Sequence, residues 1–225
     1  MVDGQALTFE VFGLKDAVLI MIDRETGSIW THLDGKAIQG PLEGKRMNIV
    51  PLPQMTWANW EESRPDTLVL SPDTPFANRY RSVQIARYNQ REAGFGDDRL
   101  ASNALVIGVE VDGAFKGYPV EQVGSVGVVN DTLSGLPILI VYDTAARSGL
   151  AFSRVVDGQV LDFYNSADDG LEIRDRATNS IWEIQGLATD GSLTGMRLDF
   201  VSSFISEWYG WSGYHPETDI YEPGS

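Results

Sequence analysis

Short apolar-polar alternations run through much of this chain, broken by turn-forming residues. Val109-Glu110-Val111, then Asp112-Gly113, then Ala114-Phe115-Lys116 predicts a hairpin, because Asp-Gly suits the positive φ angles of a type I′ turn. Val155-Val156-Asp157-Gly158-Gln159-Val160 repeats that logic, and Gly149 to Val155 and Gln159 to Phe163 alternate as strands do. Pro137 to Val141 is a short apolar strand, and Asn130-Asp131-Thr132 reads as a turn ahead of Leu133-Ser134-Gly135. Two segments carry a helical period instead, Thr56 to Arg64 and Ser206 to Tyr214. In the first, Thr56 stands where a cap is wanted, and Trp57 and Trp60 share a face at i, i+3 spacing.

The pattern occurs twice. Val2-Asp3-Gly4-Gln5 with Leu7 and Phe9 returns as Val156-Asp157-Gly158-Gln159 with Leu161 and Phe163. Asp23-Arg24, Thr26, Ser28, Ile29 and Trp30 return as Asp175-Arg176, Thr178, Ser180, Ile181 and Trp182. Gly40, Leu42, Gly44 and Arg46 match Gly191, Leu193, Gly195 and Arg197, and Trp57, Trp60, Pro65 and Thr67 match Trp208, Trp211, Pro216 and Thr218. The separation drifts by only about three residues over these blocks, as loop trimming produces. The expected fold class is therefore mainly β: an internal duplication of small barrel- or sandwich-like antiparallel units, each with one short helix. Residues 2–70 form an incomplete first unit, 71–104 a connection with Pro72, Pro75, Gly94 and Gly96, and 105–221 a complete second unit. The alternative is one compact pseudo-symmetric domain. The strands from Leu105 to Val155 have no counterpart ahead of Val2, so the first unit is expected to expose an edge.

Composition narrows the function. A hydrophobic fraction of 43% and an aromatic fraction of 10% in 225 residues supply a core and argue against disorder. The charge of −15, from 32 acidic and 17 basic residues, repels phosphate backbones, and no basic block compensates it. Nucleic acid and anionic membranes are not the expected partners. The absence of cysteine removes disulfides, thiolate metal sites and cysteine nucleophiles. No apolar run is long enough to span a bilayer, and the opening residues lack the regions of a signal peptide.

Val-Asp-Gly, Asp-Arg-x-Thr-Gly-Ser-x-Trp, Gly-Pro-Leu-x-Gly, Trp-x-x-Trp and Pro-Asp-Thr in this order resemble the bacterial and archaeal family catalogued as domain of unknown function 3179. Gly108-Val109, Tyr118-Pro119, Val129-Asn130-Asp131-Thr132 and Val141-Tyr142-Asp143 extend the likeness. The resemblance brings no activity. It implies frequent export, hence a periplasmic or extracellular location. The family's Tyr-Cys-Pro-x-Cys segment has no match here; Tyr142-Asp143-Thr144-Ala145-Ala146 puts Asp143 and Ala146 where thiols would stand.

The candidate ligand-binding residues are Tyr118, Asn130, Asp131, Tyr142, Asp143 and Arg154, which occur only in the second unit, with Arg176 and Trp182 from the repeated block. A carboxyl at Asp131 or Asp143 suits acid-base work and Arg154 suits an anion. Asp23 and Asp175 read more simply as turn carboxylates that bind backbone N–H groups, because both units carry them. Trp30 and Trp182 read as core rings or as ligand platforms. The two histidines, His32 and His215, lack metal-ligand spacing, and His215, like Arg64, is placed to close a helix C-terminus. Gly94-Phe95-Gly96-Asp97 lacks the setting of a phosphate loop, and the serines lack a nucleophile elbow. No cofactor and no metal are expected.

The leading expectation is a non-catalytic protein outside the cytoplasm that binds a small ligand or a protein. One alternative is an enzyme with Asp131, Asp143 and Arg154 around a pocket. The other is a homo-oligomer or assembly completed by strand augmentation at the first unit.

Overall fold

The computed structural model describes residues 2–16, 18–51, 56–79 and 97–224. Its centre is a pair of four-stranded sheets. One is formed by β7 (Val128–Leu133), β8 (Leu136–Asp143), β9 (Ser148–Ser153) and β16 (Phe200–Val201), in the order β16-β9-β8-β7. The other is formed by β5 (Leu105–Val111), β6 (Ala114–Pro119), β17 (Ser203–Glu207) and β18 (Asp219–Ile220), in the order β17-β5-β6-β18. Ile107, Val109 and Tyr118 of the second sheet meet Ile138, Ile140 and Ala151 of the first in one buried cluster, as in a sandwich. The segment from Phe200 to Glu207 crosses between the sheets, pairing first with β9 and then with β5.

Both outer faces of this sandwich are covered. Leu139, Val141, Leu150 and Phe152 point away from the first core into a second one with Phe163, Ile173 and Trp182. Those residues come from a small sheet of β12 (Phe163–Asn165), β13 (Ile173–Asp175), β14 (Ile181–Trp182) and β15 (Ala188–Asp190). Burial on two faces explains why β8 is apolar from Leu136 to Val141 and why every residue of β9 is buried. On the far side the helix α3 (Trp208–Tyr214) lays Trp208 and Trp211 over β5 and β6.

The N-terminal part of the chain forms a sheet of β1 (Phe9–Lys15), β2 (Val18–Asp23), β3 (Ile29–Thr31) and β4 (Ala37–Gln39) around buried Trp30. Helix α1 (Trp57–Ser63) follows it. No closed barrel forms among the described residues; every sheet has edges.

The tight turns follow their residues. Asp112-Gly113 and Asp157-Gly158 both take positive φ, 49° and 79° in the first and 48° and 78° in the second. β10 (Val155–Val156) and β11 (Gln159–Val160) make the second of these hairpins. Three expectations need correction. Asn130, Asp131 and Thr132 lie inside β7, and the turn is Ser134-Gly135 at φ 50° and 80°. Ser206 and Glu207 are strand, paired with β5, so α3 begins at Trp208. A further helix, α2 (Val120–Val126), starts directly after Pro119 and stops at Gly127, whose φ is 74°. Of the connecting segment, residues 97–104 pack on α3: Trp208 N–H donates to the Ala104 carbonyl at 2.7 Å and Tyr209 N–H to that of Ser102 at 2.9 Å. Gly94 to Gly96 lie outside the described residues.

Candidate functional site: a groove between the two units

The repeated aspartates are structural hubs. Asp23 is buried at the end of β2 and accepts hydrogen bonds from Thr26 N–H at 2.5 Å, Ser28 N–H at 3.1 Å and the Trp30 indole at 2.8 Å. Asp175 accepts the same three, from Thr178 N–H at 2.6 Å, Ser180 N–H at 3.2 Å and the Trp182 indole at 3.1 Å. Ser28 and Ser180 in turn accept from Leu42 N–H and Leu193 N–H at 3.0 and 3.2 Å. Burial pushes both carboxyls up, but these donors together hold each below the ordinary aspartate value. Such carboxylates fix a loop and an indole. Their neighbouring arginines turn elsewhere, Arg24 to Glu10 and Arg176 over the Tyr164 ring at 4.7 Å.

The eight candidates scatter. Tyr118 is fully buried and donates from its hydroxyl to Asp131 Oδ2 at 2.8 Å, beside Lys116 Nζ at 2.7 Å. Burial opposes ionisation of Asp131, yet Lys116, Thr132 N–H and Tyr118 hold its pKa below the ordinary value. Burial and Asp131 raise that of Tyr118. Asn130 donates to the Phe163 carbonyl at 2.7 Å and accepts from Phe163 N–H at 2.8 Å, imitating a strand pair between β7 and β12. Arg154 reaches the Leu161 carbonyl at 2.9 Å, the Asp162 carboxylate and the Asp131 carbonyl at 3.4 Å. Asp143 accepts from Ala145 N–H at 2.8 Å and Ala146 N–H at 3.1 Å, holding a turn. Asp131 pairs with Ile138, five residues along β8 from Asp143, so the two carboxylates stand about 16 Å apart. Asp131 and Arg154 are therefore neighbours, while Asp143, Tyr142, Arg176 and Trp182 belong to other places. Tyr142 packs its ring against Gly124 and Gly149.

Between the β1–β4 sheet and the ends of β9 and β17 a groove of about 530 Å³ opens, within the size range of small-molecule sites. One wall is first-unit chain after β3 and β4, with His32, Met47 and Val50; the other is the ends of β9 and β17, with Ser148, Leu150 and Phe204. None of the eight candidates lines it. No Asp, Glu, Lys or Arg lines it either, in a chain of charge −15. Ser148 is 1% exposed and its Oγ has no hydrogen-bond partner among the described residues. Ser203 Oγ accepts from Ala151 N–H at 2.9 Å, which leaves its own O–H to donate. His32 Nδ1 lies 3.0 Å from the Leu19 carbonyl, so Nδ1 carries the proton and Nε2, in the neutral ring, is the acceptor. Ser203, Ser206, Asn48 and His32 place polar residues along walls that are otherwise apolar, with the Ser148 hydroxyl itself buried. The groove unites three distant stretches of chain without a motif.

His215 is no charged cap. It is 6% exposed and stacks on Phe115 with ring centroids 3.9 Å apart. Burial, with Asp34 and Arg46 acting in opposite senses, lowers its pKa to about 4. Its backbone N–H closes the helix by donating to the Trp211 carbonyl at 2.8 Å. Among the described residues no three His, Asp or Glu side chains gather as a metal site would need, and no helix is long and apolar enough to cross a membrane.

The family model described as "Protein of unknown function (DUF3179)" matches residues 1–218, and the chain belongs to that family. No curated protein and no solved structure matches the chain.

Proposed function

We propose that this chain is a non-catalytic binding protein whose ligand lies in the groove between the units. The apolar walls of this groove, free of ionic side chains, carry this reading, and Ser148, whose hydroxyl has no partner among the described residues, lies in one of them. Leaving such a group unsatisfied costs about 1–3 kcal/mol, a cost a purely structural strand avoids by carrying Ala. Apolar walls without ionic side chains favour a neutral, partly apolar molecule with hydroxyl or carbonyl groups.

The test is thermal unfolding against neutral sugars, polyols and hydroxylated amphiphiles, with phosphate, sulfate and divalent cations as the contrast. A ligand at a hundred times its Kd adds about 2.7 kcal/mol, or roughly 5–10 °C in Tm for a chain of this size. Ser148→Ala should leave the free protein as stable as before, or slightly more so, and abolish most of that shift. A panel without any neutral ligand, or a shift indifferent to Ser148→Ala, would refute the site.

We further propose that the chain is an internal duplication with units at 2–70 and 105–221, joined by 71–104. The matching bond sets of Asp23 and Asp175 support it. Family membership supports work outside the cytoplasm, and cell fractionation that finds the native protein wholly cytoplasmic would remove that part.

A further inference from the structure

A second recess, of about 480 Å³, lies where the last turn of α2 meets the turn after β8 and the loop from β12 to β13. Two independent observations point to a ligand there. The first is Tyr142, which is 6% exposed and lines the recess. Its hydroxyl makes no hydrogen bond with a described residue, and it is not enclosed as the orphaned Gln122 Oε1, Ser148 Oγ and Arg154 Nε are. The hydroxyl is therefore the open end of a buried ring. A Cβ at Gly124 would lie 3.3 Å from Tyr142 Cδ1 and 3.4 Å from Thr144 Oγ1, so the ring and a second hydroxyl flank the same glycine of α2. The second observation is charge. Asp168 and Asp169 line the recess, and no Lys, Arg or His does. Their loop is fixed by Asn165, which accepts from Glu172 N–H at 2.9 Å and Ala167 N–H at 3.2 Å and donates to the Gly170 carbonyl at 2.9 Å. A Cβ at Gly127 would fall 3.0 Å from both Asn165 Nδ2 and Leu171 Cδ1, so the loop packs on the end of the helix. Gly127 N–H takes the Val123 carbonyl at 2.7 Å, and the helix has no donor for the carbonyls of Gly124, Ser125 and Val126.

We propose that this recess is a second binding site, which takes the primary ammonium group of an amine. An ammonium carries three donors and no acceptor. The lining answers with acceptors, the hydroxyls of Tyr142 and Thr144 and the carboxylates of Asp168 and Asp169, and holds no competing cation. Val126, Ala145 and Leu171 give apolar cover to the methylenes that adjoin such a group. An anion is opposed by the two aspartates and by the charge of −15 on the whole chain. A divalent metal finds only two carboxylates, and nowhere among the described residues do three His, Asp or Glu side chains gather to hold one. A free amine and a lysine side chain of another protein present the same ammonium, so the chemistry of the recess is common to both. The site is independent of the groove, since no residue lines both.

The experiment is calorimetric titration of the full chain at pH 7 and physiological ionic strength. Diaminobutane and Nα-acetyl-lysine methylamide probe the two sources, with butanediol and calcium as the contrasts. At least one of the amines should bind, and butanediol should not. The tighter of the two amines assigns the source, a free amine or a protein lysine. Tyr142→Phe, which keeps the buried ring, should weaken the amine at least threefold, and Asp168→Asn with Asp169→Asn at least tenfold. Asp16→Asn with Glu43→Gln removes the same charge from the N-terminal sheet and should weaken it less than twofold. A chain that binds neither amine overturns the proposal, as does an affinity indifferent to Tyr142→Phe. Equal weakening by the two charge-removing pairs would mean surface attraction only and overturn it as well. Calcium that binds where no amine does, and that the Asp168 and Asp169 substitutions release, would make the recess a metal site and overturn it too.

Discussion

Acidification should destabilise this protein well above the range where its carboxylates titrate, and His215 should be the cause. The ring is enclosed by Phe115 from β6 and by Trp211 and Tyr214 from its own helix, with Asp34 and Arg46 of the first unit as the nearest charges. Its pKa falls from 6.5 in the open chain to about 4 in the fold. Between those values the unfolded chain binds a proton that the folded one refuses. The contribution is therefore complete above pH 6.5 and is lost as pH falls toward 4. The full loss is roughly 3 kcal/mol, at about 1.4 kcal/mol for each tenfold change in proton affinity. Relief of repulsion among 32 acidic residues acts in the opposite direction as they begin to protonate, so the readout must be a difference. Urea unfolding followed by tryptophan emission at pH 7, 6, 5 and 4.5 provides it, with His215→Phe as the reference because a phenyl ring keeps the stack. The native chain should lose about 2 kcal/mol relative to the variant between pH 7 and 4.5. Parallel curves for the two proteins would refute the assignment.

Two further substitutions test the packing. Asp175→Ala removes the acceptor of three N–H donors, of which the Trp182 indole is left buried and unpaired while Ser180 N–H keeps only Thr178 Oγ1 at 3.3 Å, and should cost about 2–4 kcal/mol. Asp23→Ala should cost the first unit a similar amount; a loss below about 1 kcal/mol at either place would show that the carboxylate is not the hub. Gly108→Ala drives a methyl into the Trp211 ring, so β5 and α3 must separate at a cost of about 3 kcal/mol, read from the denaturant midpoint. An unchanged midpoint would mean that the indole has room to move.

What was legible in the sequence was what depends on neighbours along the chain. Asp3-Gly4, Asp112-Gly113 and Asp157-Gly158 all turn with positive φ, because the short carboxylate side chain and the missing Cβ tolerate it. The repeated aspartates were legible as turn carboxylates for the same reason. Asn130-Asp131-Thr132 misled because turn-forming residues also serve inside a strand when their side chains find distant partners. Phe163 and Lys116 supply those partners, and neither is visible locally. β9 shows only a weak period because both of its faces are buried, so alternation sorts residues between two cores rather than between core and water. The groove was not legible at all. Its polar residues, three serines, Asn48 and His32, come together only when the β1–β4 sheet packs beside the sandwich.

That docking is itself electrostatic, and it connects the groove to the rest of the molecule. Arg46 spans the junction, with Nη2 3.1 Å from Asp34 in its own unit and 2.8 Å from Glu110 of β5. Burial works against the guanidinium charge, but the two carboxylates keep it firmly protonated. Asp34 is 4% exposed and also accepts from Thr31 Oγ1 and from Lys36 N–H at 3.2 Å, so it holds the loop that carries His32, Leu33 and Gly35 into the groove wall. Met47 and Asn48, the residues immediately after Arg46, line the same wall. Tyr214 of α3 also hydrogen-bonds Thr31 and Asp34, so Arg46 and Tyr214 together hold this loop. The cluster around Trp30 and the cluster around Ile107 share no residue. An ion pair of this kind, 39% exposed on the arginine side, contributes little to stability by itself but defines an orientation.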